Sequence, residues 1–199
     1  GAVQLIHQSA QRAGNHLSDK DKNLMQMIQT ESHRLSKLLT EVLNYTHDEM
    51  LDTKNTLIAQ VLDEIFLSFS QNPKMNSRVR IAKCYQKHNY QAEIDQNKMK
   101  QVFINIIENS MEAMPDGGTL TVDSVQDNGI IKISFTDTGR GMSKEQQKKI
   151  FQPFYTEKTG GSGIGLALAQ KITRFHGGTV TFDTQEKKGT TFFVFLPAA

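Results

Sequence analysis

The stretch TGGSGIGLALAQK, residues 159–171, sets four glycines within six residues directly ahead of an apolar, alanine-rich helical pattern. Glycines at that density disfavour the interior of a helix or strand, so the chain must make a loop here and then enter a helix. A glycine-rich turn opening a helix is a ready anion site, because the first-turn N–H groups lack intrahelical partners and the helix dipole favours negative charge. Phosphate is the expected anion. Two familiar phosphate loops fail on the letters. None of Gly160, Gly161, Gly163 and Gly165 is followed by the Lys-Ser or Lys-Thr of a Walker loop. After Gly163 and Gly165, the third position of a dinucleotide fingerprint is Leu168.

The chain has 199 residues, with 37% hydrophobic and 22% charged residues and a net charge of +2. That length suits one core, or a small helical piece joined to a domain of roughly 150 residues. The charge balance lacks the basic excess of a nucleic-acid binder, so no nucleic-acid partner is expected. Cys84 is the single cysteine, which excludes an intrachain disulfide and a cysteine-based zinc site and fits a reducing compartment. No apolar run approaches the roughly 20 residues that span a bilayer, and the start lacks the pattern of a signal peptide. A cytoplasmic location is the expectation, with any membrane sensor lying outside these residues.

Residues 2–13 are helix-compatible and GNHLSDKD reads as a turn. From Leu24 onward, apolar residues at 24, 28, 35, 38, 42 and 45 form the seam of a helix that packs on other helices. Ser18 and Asp21 resemble a capping box at its start. Residues 1–50 are therefore expected to be a dimerisation hairpin that completes a four-helix bundle with a second copy, giving a homodimer. The alternative is packing on the rest of the same chain. Residues 51–199 are expected to be a separate α/β domain. There, 55–69 reads as an amphipathic helix, 78–85 as a strand, and 97–114 as a helix with Met99, Val102, Phe103, Ile106, Ile107, Met111 and Met114 on one side. Four alternating stretches, at 119–125, 130–137, 178–184 and 190–197, read as antiparallel strands. The fold class is thus α+β: a helical hairpin followed by an α/β sandwich with a mixed, largely antiparallel sheet, one face of it covered by helices.

Four boxes follow one another in this second part: NIIEN (105–109) on a helix, DTGRG (137–141) after a strand, GGSGIGL (160–166) before a helix, and GTTF (189–192) before the last strand, with FQPFYTEK between the second and third. Their order resembles the ATP-binding domain shared by sensor histidine kinases, Hsp90, DNA gyrase and mismatch-repair ATPases, over about residues 55–197. ENSMEAM and PFYTEKTGGSGIGL look most similar to nitrogen-regulation-type kinases of two-component systems. The resemblance implies ATP and Mg²⁺ as ligands and a response-regulator receiver domain as partner.

It also implies roles for single residues. Asp137 would accept from the exocyclic amine of adenine, although an aspartate before glycine is also a common turn residue. Gly139 and Gly141 would let the backbone approach the purine, and Thr190 would line the nucleotide site. Asn109 corresponds to the metal-binding asparagine, with a hard carboxamide oxygen suited to Mg²⁺. Asn105, one turn earlier, would lie by the phosphates or the metal's water shell. Hydrolysing relatives carry a glutamate there as general base, and an amide cannot serve that purpose, so the resemblance favours phosphoryl transfer to a protein side chain. Glu108 and Glu112 are nearby carboxylates of unassigned direction. FQPFYTEKTGGSG looks like the mobile lid, with Phe151 and Phe154 buried at its root and Thr156 and Lys158 reaching phosphate oxygens; the alternative for Lys158 is a solvated loop lysine. Gly160, Gly161, Ser162, Gly163, Ile164, Gly165 and Leu166 would fold over the triphosphate. Anti-sigma-type serine kinases and hydrolysing ATPases share these boxes, but the former lack a dimerising hairpin and the latter keep the glutamate.

One family element is missing. A phosphoacceptor histidine is expected on the first hairpin helix, followed by an acid and then by Asn-Pro-Leu or Thr-Pro-Leu. His7 is followed by QSAQRA, His16 lies in the turn and His33 on the second helix. GAVQLI resembles the segment just after such a Pro-Leu, so the acceptor is expected upstream of Gly1, with His7 the alternative. His47 and His88 read as surface or packing residues. His176, before two glycines, reads as a helix-end donor or cation.

Overall fold

The computed structural model describes residues 19–46, 50–71, 78–87, 89–158 and 161–199. His7, His16, His47, His88, Ser18, Gly160 and the helix expected at 2–13 lie outside them. The chain divides into two compact units, Gly1–Thr46 and His47–Ala199.

In the first unit, helix α1 spans Asp19–Thr46. His33 is on it, its side chain outside the description. Leu24, Met27, Ile28, Leu35, Leu39 and Leu43 are 50–65% exposed. Spaced so that they fall along one side of the helix, they form an exposed apolar stripe.

The second unit begins with strand β1 (Lys54–Leu57), paired antiparallel with β3 (Gln91–Ile94). Helix α2 starts only at Ile58 and ends at Ser70. The helix expected from residue 55 is thus corrected: the pairing of Asn55 with Glu93 and Thr56 with Ala92 claims that backbone first, and the periodic apolar face (Ile58, Val61, Leu62, Ile65, Phe66) begins where the strand ends. Strand β2 (Val79–Lys83) and a 3-10 turn (Tyr85–Lys87) precede β3. Helix α3 (Gln96–Glu112) opens on Asp95, whose Oδ1 accepts the N–H groups of Asn97 and Lys98, both at 3.1 Å. It is followed by β4 (Gly118–Asp127), β5 (Ile130–Asp137), a short helix α4 (Lys144–Gln147), helix α5 (Gly165–Phe175), β6 (Thr179–Gln185) and β7 (Gly189–Pro197). GTTF therefore starts the last strand and does not precede it.

The five-stranded sheet has the order β2-β4-β5-β7-β6; β2 runs parallel to β4 and every other pair is antiparallel. Along β5 the buried positions are Ile131, Ile133, Phe135 and Asp137. Strand periodicity thus puts a carboxylate in phase with three core residues. Helices α3 and α5 lie over the buried face: Phe103 packs on Phe135 at 5.6 Å between centroids, and Met99, Val102, Ile106 and Ile107 are inaccessible to solvent.

His176 ties the far ends of these helices together. It caps α5, its Nδ1–H donates to the Ile172 carbonyl at 2.8 Å, and its Nε2 accepts the Asp95 N–H at 3.0 Å. The ring acts as a donor at the helix end, as expected, and its other nitrogen serves as an acceptor. Replacing His176 by Ala strands the buried Asp95 N–H, a loss of about 1–3 kcal/mol. Urea unfolding of the variant should show a lower midpoint with an unchanged slope; an unchanged midpoint refutes the tie.

Candidate nucleotide site

Asp137 ends the central strand with only 3% of its surface exposed. Its Oδ1 accepts two backbone N–H groups, from Gly139 at 2.9 Å and from Thr190 on the neighbouring strand at 3.1 Å. The second bond follows from register, since Thr190 stands opposite Asp137 in the β5–β7 ladder. Its Oδ2 takes no backbone N–H from the described residues; the Ser110 hydroxyl, which makes no hydrogen bond of ordinary geometry, is the one side chain that acts on the carboxylate, and Oδ2 remains for an external donor. Burial pushes the carboxyl above the usual aspartate range, opposed by the Gly139 and Thr190 N–H groups and then by the Ser110 hydroxyl.

The glycines around this carboxylate also answer to the protein's own packing. A Cβ on Gly139 would stand 2.7 Å from the Ala113 carbonyl oxygen, and one on Gly141 would stand 2.1 Å from that of Gln185. Gly141 also has φ of +64°, so a side chain would be both strained and blocked. Thr190 reaches the site through its backbone; its hydroxyl is shared with that of Thr184 at 3.0 Å, and Thr184 Oγ1 accepts the Met142 N–H.

Helix α3 presents Asn105, Asn109 and Glu112 at i, i+4 and i+7, one face of the helix. Asn105 Nδ2 donates to the Gly165 carbonyl at 2.9 Å, bracing α3 against the first residue of α5. Asn109 Nδ2 donates to the Asn105 carbonyl at 2.7 Å, and this turns its Oδ1 toward the loop before α5. There the Lys158 ammonium donates to Asn109 Oδ1 at 2.7 Å and pairs with the Glu112 carboxylate. Lys158 is therefore no free loop lysine. Both unassigned carboxylates are exposed, and Glu112 faces the lid.

The lid root differs from expectation at one aromatic. Phe151 is half-buried and packs on Phe182 at 5.9 Å, but Phe154 is 65% exposed. Its N–H is committed to the Gly163 carbonyl at 3.0 Å with φ of +68°, a left-handed backbone, and its ring lies in solvent. The polar anchor of this root went unseen in the sequence: Glu157 accepts the Tyr155 hydroxyl at 2.7 Å and the Gln146 amide at 2.5 Å, while Gln146 closes the capping box of α4 with Ser143. S-x-x-Q at 143–146 was the available signal. Thr156 Oγ1 accepts the Lys158 N–H, and Gly161 lies close against that same hydroxyl oxygen. Ser162 Oγ accepts the Ile164 N–H at 3.2 Å; Ile164 is buried and Leu166 half-buried. No side chain caps the start of α5. The first-turn N–H groups of this helix suit an anion.

Among the described residues no cluster of three or more His, Cys, Asp or Glu could hold a metal. A cation here would rest on Asn109 Oδ1 and on ligand oxygens, as Mg²⁺ does in phosphate sites, and the Lys158 ammonium already stands in for one at that oxygen.

The Asp137 environment generates a signed prediction. A raised folded-state pKa means that this group costs the fold nothing below the ordinary aspartate value and costs stability as pH rises through the raised one. Asp137→Asn keeps an acceptor for both N–H groups and removes the buried charge. In urea unfolding it should be at least as stable as the parent at pH 7, the difference closing toward pH 3. Its amide would also turn a donor on the base, so calorimetric ATP affinity should fall by about 1.5–3 kcal/mol, roughly 10- to 100-fold in Kd. An unstable variant or an undiminished affinity contradicts the assignment.

Comparison with known proteins places this geometry. The model of the histidine kinase-, DNA gyrase B- and HSP90-like ATPase family matches residues 94–199. Sporulation kinase C of Bacillus subtilis is 31% identical over 176 residues, 88% of this chain and 41% of that one. Sensor histidine kinase ZraS of Escherichia coli K12 is 31% identical over 87% of this chain and 37% of its own. The chain thus spans about two fifths of the length of these relatives. Among solved structures, the catalytic domain of histidine kinase ThkA superposes with a TM-score of 0.66 at 27% identity, covering 73% of this chain and 95% of that one. ThkA in complex with the response regulator TrrA gives 0.75 at 25% identity, covering 99% of this chain and 57% of that one. The chain belongs to the histidine kinase-, DNA gyrase B- and HSP90-like ATPase family, and its ATP-binding domain is of the histidine kinase kind.

Proposed function

We propose that the chain is the catalytic core of a two-component sensor histidine kinase: it binds Mg-ATP, transfers the γ-phosphoryl group to a histidine of the hairpin, and the phosphoryl then passes to a response-regulator aspartate. The observation that carries this reading is the buried Asp137, one oxygen saturated by backbone and the other open, in an ATPase-family fold. In this reading Asp137 takes the adenine amine, and Thr190, Gly139 and Gly141 shape its surroundings. Mg²⁺ rests on Asn109 and the phosphates. Thr156, Lys158, Gly161, Ser162, Gly163, Ile164, Gly165 and Leu166 enclose the triphosphate, whose charge Lys158 offsets.

Asn105 supports transfer over hydrolysis. Its amide donates to the Gly165 carbonyl and has no basic oxygen with which to activate water. Incubation with γ-labelled ATP, in a protein extended ahead of Gly1 by a hairpin helix carrying the histidine and Pro-Leu box, should give acid-labile phosphohistidine. Acid-stable phosphoserine on a partner would favour the serine-kinase reading, and release of free phosphate alone the ATPase reading; either would overturn the proposal.

Residues 1–50 form the dimerisation hairpin and 51–199 the catalytic domain. The open stripe on α1 supports self-association into a four-helix bundle. Among the described residues no helix is long and apolar enough to cross a membrane. The need for ATP supports a cytoplasmic location for the domain. Leu35→Lys, which puts a charge into the seam, should convert a dimer of the parent chain to monomer in sedimentation equilibrium, with the spectrum of the ATP-binding domain preserved. A parent that is monomeric, or a variant that stays dimeric, removes the seam from the dimer interface.

A further inference from the structure

Resting on the Mg-ATP reading above, we propose that the Lys158 ammonium and the divalent cation are alternative occupants of the Asn109 carboxamide oxygen, and that Glu112 is the positioning residue that holds Lys158 there.

Three observations carry this. First, Asn109 is not free to turn: its Nδ2 is spent on the Asn105 carbonyl at 2.7 Å, so Oδ1 faces the lid whichever cation comes to it. Second, that oxygen is already given to a cation, the Lys158 ammonium at 2.7 Å. An ammonium and a divalent ion on one carboxamide oxygen would repel one another at contact distance, so they exclude each other. Third, Glu112 lies three residues beyond Asn109 on the same helical face and pairs with the same ammonium, which brings the lid lysine to the metal's coordinate.

The pair is suited to exchange. The side chains of Lys158 and Glu112 are 35% and 54% exposed, and ion pairs that open to water are weak and readily exchanged. When a metal takes Asn109 Oδ1, the ammonium keeps two kinds of anion within the reach of its flexible stem: the Glu112 carboxylate and the phosphates that arrive with the metal. Phosphate carries more charge and repels Glu112, so Lys158 passes to the nucleotide. The lid is thereby tied to α3 before the metal arrives and to the polyphosphate afterwards, with one lysine making both ties. Glu112 does not touch the reacting atoms in this scheme; it decides how firmly Lys158 defends the oxygen.

The test is a double-mutant cycle on Mn²⁺ binding, read by electron paramagnetic resonance at saturating ADP, with the parent, Glu112→Gln, Lys158→Met and the double variant. With Lys158 present, Glu112→Gln should tighten Mn²⁺ at least threefold, because the competitor is loosened. In the Lys158→Met background the same change should weaken Mn²⁺, because only the attraction of the carboxylate for the ion is lost. Equal effects in the two backgrounds overturn the proposal. In the protein without ligand, Glu112→Gln should also speed amide exchange severalfold over residues 155–166, and unchanged exchange there overturns it as well. A parent that takes up no ADP in calorimetry sinks the nucleotide reading and this proposal together, whereas ADP uptake with an additive cycle sinks this proposal alone.

Discussion

The site depends on one buried carboxylate. Asp137 occupies a core-facing position of the central strand, where an isolated charge is costly, and the chain offsets that cost with two backbone N–H groups on the same oxygen. Much of the local backbone answers to this arrangement. Strand β7 must stand in the register that brings Thr190 opposite, and Gly189, with φ of +116° and a Cβ position 2.0 Å from the Asp137 carbonyl oxygen, allows that strand to begin against the end of β5. Gly141 lets the following loop pass against β6. The result is an acceptor of fixed direction with one oxygen spent and one available, preorganised before any ligand arrives.

Helix α3 links this acceptor to the phosphate end of the site. Its apolar face fixes its position against β5 through Phe103 and Phe135, while its polar edge presents Asn105, Asn109 and Glu112 toward α5 and the lid. The two faces are complementary consequences of a single helical period. The Asp95–His176 contact joins the start of α3 to the end of α5, and Asn105, near the middle of α3, braces it against the start of α5, so the oxygen that would meet a metal sits on a helix pinned at two points. The lid is attached differently, through exposed polar contacts of Tyr155, Glu157 and Gln146 and through Lys158, all of which can exchange with water. A rigid acceptor and rigid asparagines under a loosely tied cover are what a site needs if ligands are to come and go.

Much of this was legible in the sequence. Strict alternation announced β4, β5, β6 and β7, and the apolar face of α3 was readable residue by residue. The order of the boxes pointed to the ATPase family. What escaped was set by partners distant in the chain. Residues 55–57 were read as the start of a helix, and pairing with 91–93 makes them a strand. Phe154 reads as an apolar anchor, yet a backbone bond to Gly163 leaves it exposed. For Gly139 and Gly141 the sequence offered only the approach of a ligand as a reason, and the crowding by Ala113 and Gln185 needed the fold. Glu112 was one of two nearby carboxylates whose direction the sequence did not assign, and only the fold brings Lys158 against it. One clue was available and unused: Asp137 falls in phase with Ile131, Ile133 and Phe135, so alternation alone assigns the carboxylate to the core face.

The most direct measurement compares, by calorimetry with Mg²⁺ present, the binding of ATP and of purine riboside triphosphate, which differs only in lacking the exocyclic amine. If Asp137 Oδ2 is the acceptor for that amine, the analogue should bind roughly ten- to a hundredfold more weakly, the worth of one hydrogen bond to a buried charge. Equal affinities for the two ligands would mean that the base does not meet this carboxylate, and the account of the site built on it would be wrong.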